Sequence, residues 1–265
     1  MNDNSVSLFT KVHTTVSFLV MVVVNFLANT IPFNGVTSGE VSDSYENLFA
    51  PAGITFSIWG VIYLGLAVYT IYQYDFIKKK DSFNKNLIEK IGVYFTITSI
   101  ANTAWVFAWH YQSIGLSLIL IAVILICLVI INNYLKKSKL AFKENFYVKL
   151  PFSIYFGWIT IATIANIIVF LVSLGWDATS NWIWTVLILI VAFLISGLTM
   201  LRYQDFAYGL VIIWAYIGIL IRHTSLEGFS GEYPLIITTL IVSMVLLLIA
   251  NVYILAANKK GVRLE

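Results

Sequence analysis

Charge is the first thing this sequence lacks. Only 11% of its 265 residues are Asp, Glu, Lys or Arg, against 60% hydrophobic residues. A soluble domain this apolar could not cover its own surface with polar groups. Cysteine is nearly absent as well. Cys127 stands alone in an apolar run, which excludes an intrachain disulfide and leaves no Cys/His cluster for a structural metal. There is no Walker loop, no GxSxG elbow, no HExxH pair and no carboxylate dyad. The common routes to phosphoryl transfer, acyl transfer and metal-assisted hydrolysis therefore have no foothold. No charged residue falls deep inside an apolar run, which argues against an ion-coupled pump with a buried proton relay.

What is present is a series of long apolar runs. Each is about 20 residues, enough to cross about 30 Å of hydrocarbon. They do not alternate as transmembrane strands do, and a helix satisfies its own backbone groups in lipid. Helices are expected at roughly 14–33, 53–74, 91–110, 115–134, 150–174, 182–201, 206–222 and 233–257, the seventh being the shortest. The first run follows Lys11 and lacks a small-x-small cleavage site, so it is expected to be a retained helix and not a signal peptide. The fold class is thus an all-α integral membrane protein with about eight transmembrane helices.

The basic residues sort by loop. Lys11 precedes helix one. Lys78, Lys79, Lys80, Lys85 and Lys90 lie between helices two and three, and Lys136, Lys137, Lys139, Lys143 and Lys149 between helices four and five. Arg202 follows helix six, and Lys259, Lys260 and Arg263 follow helix eight. With eight crossings all of these share one side, and Arg222 alone falls on the other. The positive-inside rule places the basic side, and with it both chain ends, in the cytoplasm of an inner-type membrane. The opposite 34–52 loop carries Glu40, Asp43 and Glu46 and no Lys or Arg. It is long for a connection in a compact bundle, as a lid or binding loop would be.

The chain has 8 Trp, 15 Tyr and 18 Phe. Trp176, Trp182 and Trp184 suit an interfacial aromatic belt. Other rings recur at helical spacing: Phe56, Trp59 and Tyr63 on helix two; Asn102, Trp105 and Trp109 on helix three; Trp158, Ala162 and Asn166 on helix five, with Tyr155 just before. Flat rings beside small or amide residues could line an apolar slot with a few hydrogen-bonding groups. The plainer reading is that the rings are packing and the amides interhelical contacts, worth about 0.6–2 kcal/mol each. Asn25, Asn29 and Asn251 are read as such contacts. His13, His110 and His223 sit at helix ends or loops, where an interfacial role is a simpler reading than haem or metal ligation.

The stretch Pro51-Ala52-Gly53-Ile54-Thr55-Phe56-Ser57-Ile58-Trp59-Gly60-Val61-Ile62-Tyr63 resembles the helix-two signature of the TspO/MBR family, the tryptophan-rich sensory proteins and translocator proteins. Asn102-Thr103-Ala104-Trp105 resembles its helix-three motif, and Trp158, Ala162, Thr163 and Asn166 resemble its helix-five signature. The resemblance covers roughly residues 14–175. It implies a TspO-like five-helix ligand-binding unit at 1–175, followed by a three-helix extension at 176–265 without counterpart in the short family members. It also implies a pocket for porphyrins and other flat lipophilic ligands. By position, Trp59, Asn102, Trp105, Trp158 and Ala162 match family pocket residues, and Phe56, Tyr63 and Asn166 match motif residues.

The resulting expectation is a membrane receptor or carrier for flat lipophilic molecules. The alternative is a transporter or permease subunit for a small hydrophobic substrate. An enzyme acting on bound porphyrin ranks below both, because the expected site offers no conventional acid, base or nucleophile. No cofactor is required, porphyrin or haem being candidate ligands. The expected partners are the lipid bilayer, a tetrapyrrole-like small molecule and, as an open alternative, a second copy in a homodimer; nucleic acid is not among them.

Overall fold

The computed structural model describes residues 5–31, 33–74, 84–179 and 182–259. Eight helices in it are long and apolar enough to cross a membrane. They are α1 (Leu8–Thr30), a 3-10 turn at Gly53–Ser57 running into α3 (Ile58–Tyr72), α4 (Lys85–His110), α5 (Ile114–Lys137), a run from Phe142 to Ser173, α8 (Trp182–Tyr203), α9 (Phe206–Thr224) and α10 (Pro234–Lys259). The Phe142–Ser173 run comprises α6 (Phe142–Glu144), a π turn at Asn145–Lys149 and α7 (Leu150–Ser173). A short helix, α2 (Ser38–Asp43), lies in the first long connection. The protein is an all-helical integral membrane protein, as its apolar runs require.

Several helices start earlier than their apolar runs. Ser7 Oγ accepts from Thr10 N (3.2 Å), which moves the start of α1 back to Leu8. Asn84 Oδ1 accepts from Leu87 N (3.1 Å), which moves α4 back to Lys85. These side chains satisfy amides that the first helical turn leaves open. Lys85, Lys90, Lys136 and Lys137 consequently lie on helix ends and not in loops. Lys78, Lys79, Lys80, Lys260 and Arg263 lie outside the described residues.

The chain divides into two compact units. Unit one is Met1–Ser38 with Trp59–Phe156, and unit two is Gly39–Ile58 with Gly157–Glu265. In unit one, α4 packs on both α1 and α5. Gly92 permits the first contact, because a Cβ there would meet Thr10 Cγ2 at 2.6 Å. An aromatic core joins Tyr69, Phe95 and Phe152, with centroids 4.8 to 5.6 Å apart and edge-to-face geometry, the arrangement ring quadrupoles favour.

In unit two, α8, α9 and α10 pack on one another. The buried face of α8 carries Thr185, Ala192 and Ser196 together with Leu189, Met200 and Tyr203, while Leu187, Val191, Leu194 and Leu198 are exposed. The small and polar members of that face suit close helix association in lipid. Asp205 Oδ1 accepts from Ala207 N and Tyr208 N (3.1 Å each) and so starts α9.

Segment 39–58 is folded and not an open loop. Leu48, Phe49 and Ala50 are buried, and Asn47 Oδ1 accepts from Phe49 N (3.0 Å). It is tied along one face of α9: Trp214 Nε1 donates to Thr55 O (3.0 Å), and Ala52 N donates to Gly218 O (2.9 Å). Arg222 pairs with Asp43, and His223 Nε2 donates to Leu48 O (2.8 Å). Arg222, the one basic residue outside the main cluster in the sequence, therefore has an acidic partner from the acidic connection.

Candidate functional site

The expected site residues fall in both units. Unit one holds Trp59, Tyr63, Asn102 and Trp105; unit two holds Phe56, Trp158, Ala162 and Asn166. The sequence placed Phe56 on one α-helical face with Trp59 and Tyr63. Phe56 belongs instead to the 3-10 turn that precedes α3. That turn winds at about three residues per turn, which alters the spacing on which the shared face was based.

In unit one the Trp59 ring stacks on Tyr63 (5.4 Å between centroids, 20° between planes). It meets Tyr155 edge-on at 6.0 Å. Tyr155 is in turn a neighbour of Tyr63 and of Asn102. On α4, Asn102 lies one turn before Trp105, whose ring stacks on Trp109 at 5.4 Å. Trp109 Nε1 donates to Ser38 O (3.1 Å), so that ring is anchored.

The polar atoms of this cluster are unusual. Asn102 and Tyr155 are fully buried and Trp105 nearly so. The Tyr63 and Tyr155 hydroxyls, Asn102 Nδ2 and Trp105 Nε1 are all buried and have no hydrogen-bond partner among the described residues. Leaving a buried polar group unpaired costs about 1–3 kcal/mol. Buried polar groups beside stacked rings have the composition of a small-molecule site, largely apolar with a few polar groups.

Two contributors were not among the expected site residues. Tyr155 carries a helical-spacing signal, three residues before Trp158. Asn25 was read as an interhelical contact, and it is one: its Nδ2 donates to Asn102 Oδ1 (2.7 Å) and to Met21 O (2.9 Å). Its link to a site residue could not be read from spacing, because 77 positions separate the pair.

In unit two, Phe56 meets Trp158 edge-on at 5.9 Å with 80° between planes. Trp158 and Asn166 are buried, and Ala162 is half-buried on the same helix. His110 is held by Val106 O at Nδ1 (2.7 Å) and by Ser38 Oγ at Nε2 (3.4 Å). Among the described residues no group of three His, Cys, Asp or Glu side chains is placed to hold a metal ion. A separate groove of about 600 Å³ lies on unit one, lined by His13, Val16 and Val20 of α1 and Ile100, Ala104 and Phe107 of α4 among others. None of the expected site residues lines it.

Eight apolar helices joined through small-residue contacts define a polytopic α-helical membrane protein. The model of the TSPO-like protein family matches residues 11–253, and the chain belongs to that family. The match runs on through α8 and α9 and into α10, well past the last motif residue, Asn166. No curated protein and no solved structure matches the chain.

Proposed function

We propose that this protein is a membrane receptor or carrier that binds flat lipophilic molecules such as porphyrins. The observation that carries the reading is the buried set of Tyr63, Asn102, Trp105 and Tyr155 polar atoms without partners, lying among stacked aromatic rings. A flat ligand would stack on Trp59 and Tyr63 and supply acceptors to these groups. In this reading residues 1–175 carry the ligand, and 176–265 form an accessory membrane module. In the same reading both chain ends lie in the cytoplasm, which the positive-inside rule supports.

The test is a titration of the purified protein with protoporphyrin and with haem, following tryptophan fluorescence. Saturable quenching that weakens in Trp59→Ala supports the reading. Quenching that is unsaturable, or unchanged in that variant, removes it. Uptake into protein-containing vesicles then separates carrier from receptor, because only a carrier moves the ligand across.

A further inference from the structure

The connection from α5 to α7 carries an unusual surface. Phe142 is 87% exposed and Phe146 is 53% exposed. Exposed lysines surround them in the sequence: Lys136 and Lys137 at the end of α5, Lys139 just after it, and Lys143 on α6. Two exposed phenylalanine rings are unfavourable in water. At a membrane boundary such rings sit at headgroup level, and lysine stems reach outward past them.

The fold brings more positive charge to this elbow. α4 packs on α5, and residues 111–113 alone join them, so the start of α4 and the end of α5 lie at the same end of unit one. Exposed Lys90 stands over the Tyr134 ring at 5.5 Å, beside the last turn of α5. Residues 84–149 contain seven lysines and two acidic residues, Glu89 and Glu144. Backbone amides engage both acids. Glu89 Oε1 accepts from Ser7 N (3.0 Å), and buried Glu144 accepts from Ala141 N (2.9 Å) and Asn84 N (3.4 Å). Lys136, Lys137, Lys139 and Lys143 have no acidic partner among the described residues. The Asn84–Glu144 bond also ties the elbow to the start of α4, which gathers the lysines of both.

Orientation in the membrane needs only the positive charge. It does not call for exposed rings among the lysines, nor for a buried glutamate that draws the elbow onto α4. Unpaired cations beside apolar anchors fit a partner with an anionic head and an apolar body.

We propose that the α5–α7 elbow of unit one is a docking surface for anionic phospholipid. Phe142 and Phe146 enter the acyl boundary, while Lys139, Lys143 and the lysines at the ends of α4 and α5 meet the headgroup phosphates. None of these residues belongs to the aromatic cluster, so lipid docking here is independent of the ligand-binding reading.

The test is native mass spectrometry of the full-length protein in detergent, titrated with phosphatidylglycerol or with phosphatidylcholine, which counts lipids as they bind. The first phosphatidylglycerol is expected to bind about tenfold more tightly than the first phosphatidylcholine. In Lys139→Gln/Lys143→Gln that ratio is expected to fall to about threefold or less. Arg202→Gln, a loss of charge in unit two, is expected to leave it unchanged. Phe142→Ser/Phe146→Ser keeps every charge and is expected to weaken phosphatidylglycerol binding several-fold. Glycerol phosphate at the lipid's own concentration is expected not to displace it.

Equal affinity for the two lipids overturns the docking surface. A ratio that falls as far in Arg202→Gln as in the lysine variant does the same, because charge anywhere would then suffice. Unchanged binding in the phenylalanine variant removes the rings from the site. Displacement by glycerol phosphate would make the surface a site for free phosphates and not for lipid.

Discussion

The two compact units handle buried polar groups in different ways. In unit one the aromatic cluster leaves Tyr63, Asn102, Trp105 and Tyr155 with unpaired polar atoms. In unit two the connection 39–58 is fastened to α9 at Trp214, Gly218 and Arg222, which are spaced along one helical face, and at His223. Unit two also buries atoms without a hydrogen-bond partner, at Thr55, Ser196, His223 Nδ1 and Asn251; His223 stands beside Phe229 and Tyr233, and Asn251 beside Gly209. The difference is that unit two also uses polar groups to hold backbone of its connection in place. Unpaired donors gain from a ligand; paired ones gain nothing further.

The largest effect to seek is all-or-none. Fastening 39–58 to the end of α9 requires both to lie on one side of the membrane, opposite the basic connection after α5. Reporter fusions after Asn47 and after Ser138 are expected to report opposite sides, and a fusion at the C-terminal end is expected to match Ser138. Agreement between the Asn47 and Ser138 fusions would break the comparison at its root.

Next in size is the fastening itself. A Cβ on Gly218 would stand 2.8 Å from Thr55 Cβ, and the Thr55 side chain is fully buried. Gly218→Val is expected to destabilise the protein by about 1–3 kcal/mol, seen as a lower Tm in detergent. A Tm equal to the parent would mean that segment 39–58 yields freely and is not held.

The contrast in ligand use sharpens through single tryptophans. A lost contact of about 60 Å² at about 25 cal/mol per Å² is worth about 1.5 kcal/mol, or roughly tenfold in affinity. Trp59→Ala is expected to weaken porphyrin binding by about that factor, and the exposed Trp184→Ala not at all. Trp158→Ala, measured beside them, is expected to match Trp59→Ala, as its position in the family motif implies. No change there would confine binding to unit one.

The smallest effect belongs to the Arg222–Asp43 pair. Asp43 is about half exposed, and an exposed pair contributes about 0–1 kcal/mol. Arg222→Gln is expected to lower Tm slightly, and less so at high salt. A loss as large as that of Gly218→Val would mean the pair is the principal clasp.

Most of this architecture was legible in the sequence because lipid imposes it. An apolar run of sufficient length has one stable solution, a helix, and all eight runs became one. The ends were less legible. The polar turns at Leu8 and Lys85 depend on the caps Ser7 and Asn84, which hydropathy does not register. Phe56 went astray because a 3-10 turn precedes α3 where the sequence suggested a continuous α-helix. Trp59, Tyr63, Asn102 and Trp105 fall in one unit and Phe56, Trp158, Ala162 and Asn166 in the other, a division that spacing along single helices does not register. The Asn25–Asn102 hydrogen bond was out of reach, since it joins residues 77 positions apart.

The π turn at Asn145–Lys149 has one further consequence, for the phase of the helix that carries Tyr155. A π turn holds one residue more than an α turn, and one residue is about 100° of rotation. Upstream of it, Glu144 is engaged by Ala141 N (2.9 Å) and Asn84 N (3.4 Å). Downstream, Tyr155 faces Trp59. The extra residue acts as a vernier between the two settings, letting each side of the helix meet its own partners. Deleting a single residue there would convert the turn to α and leave the chain to satisfy Glu144 or Tyr155, but not both.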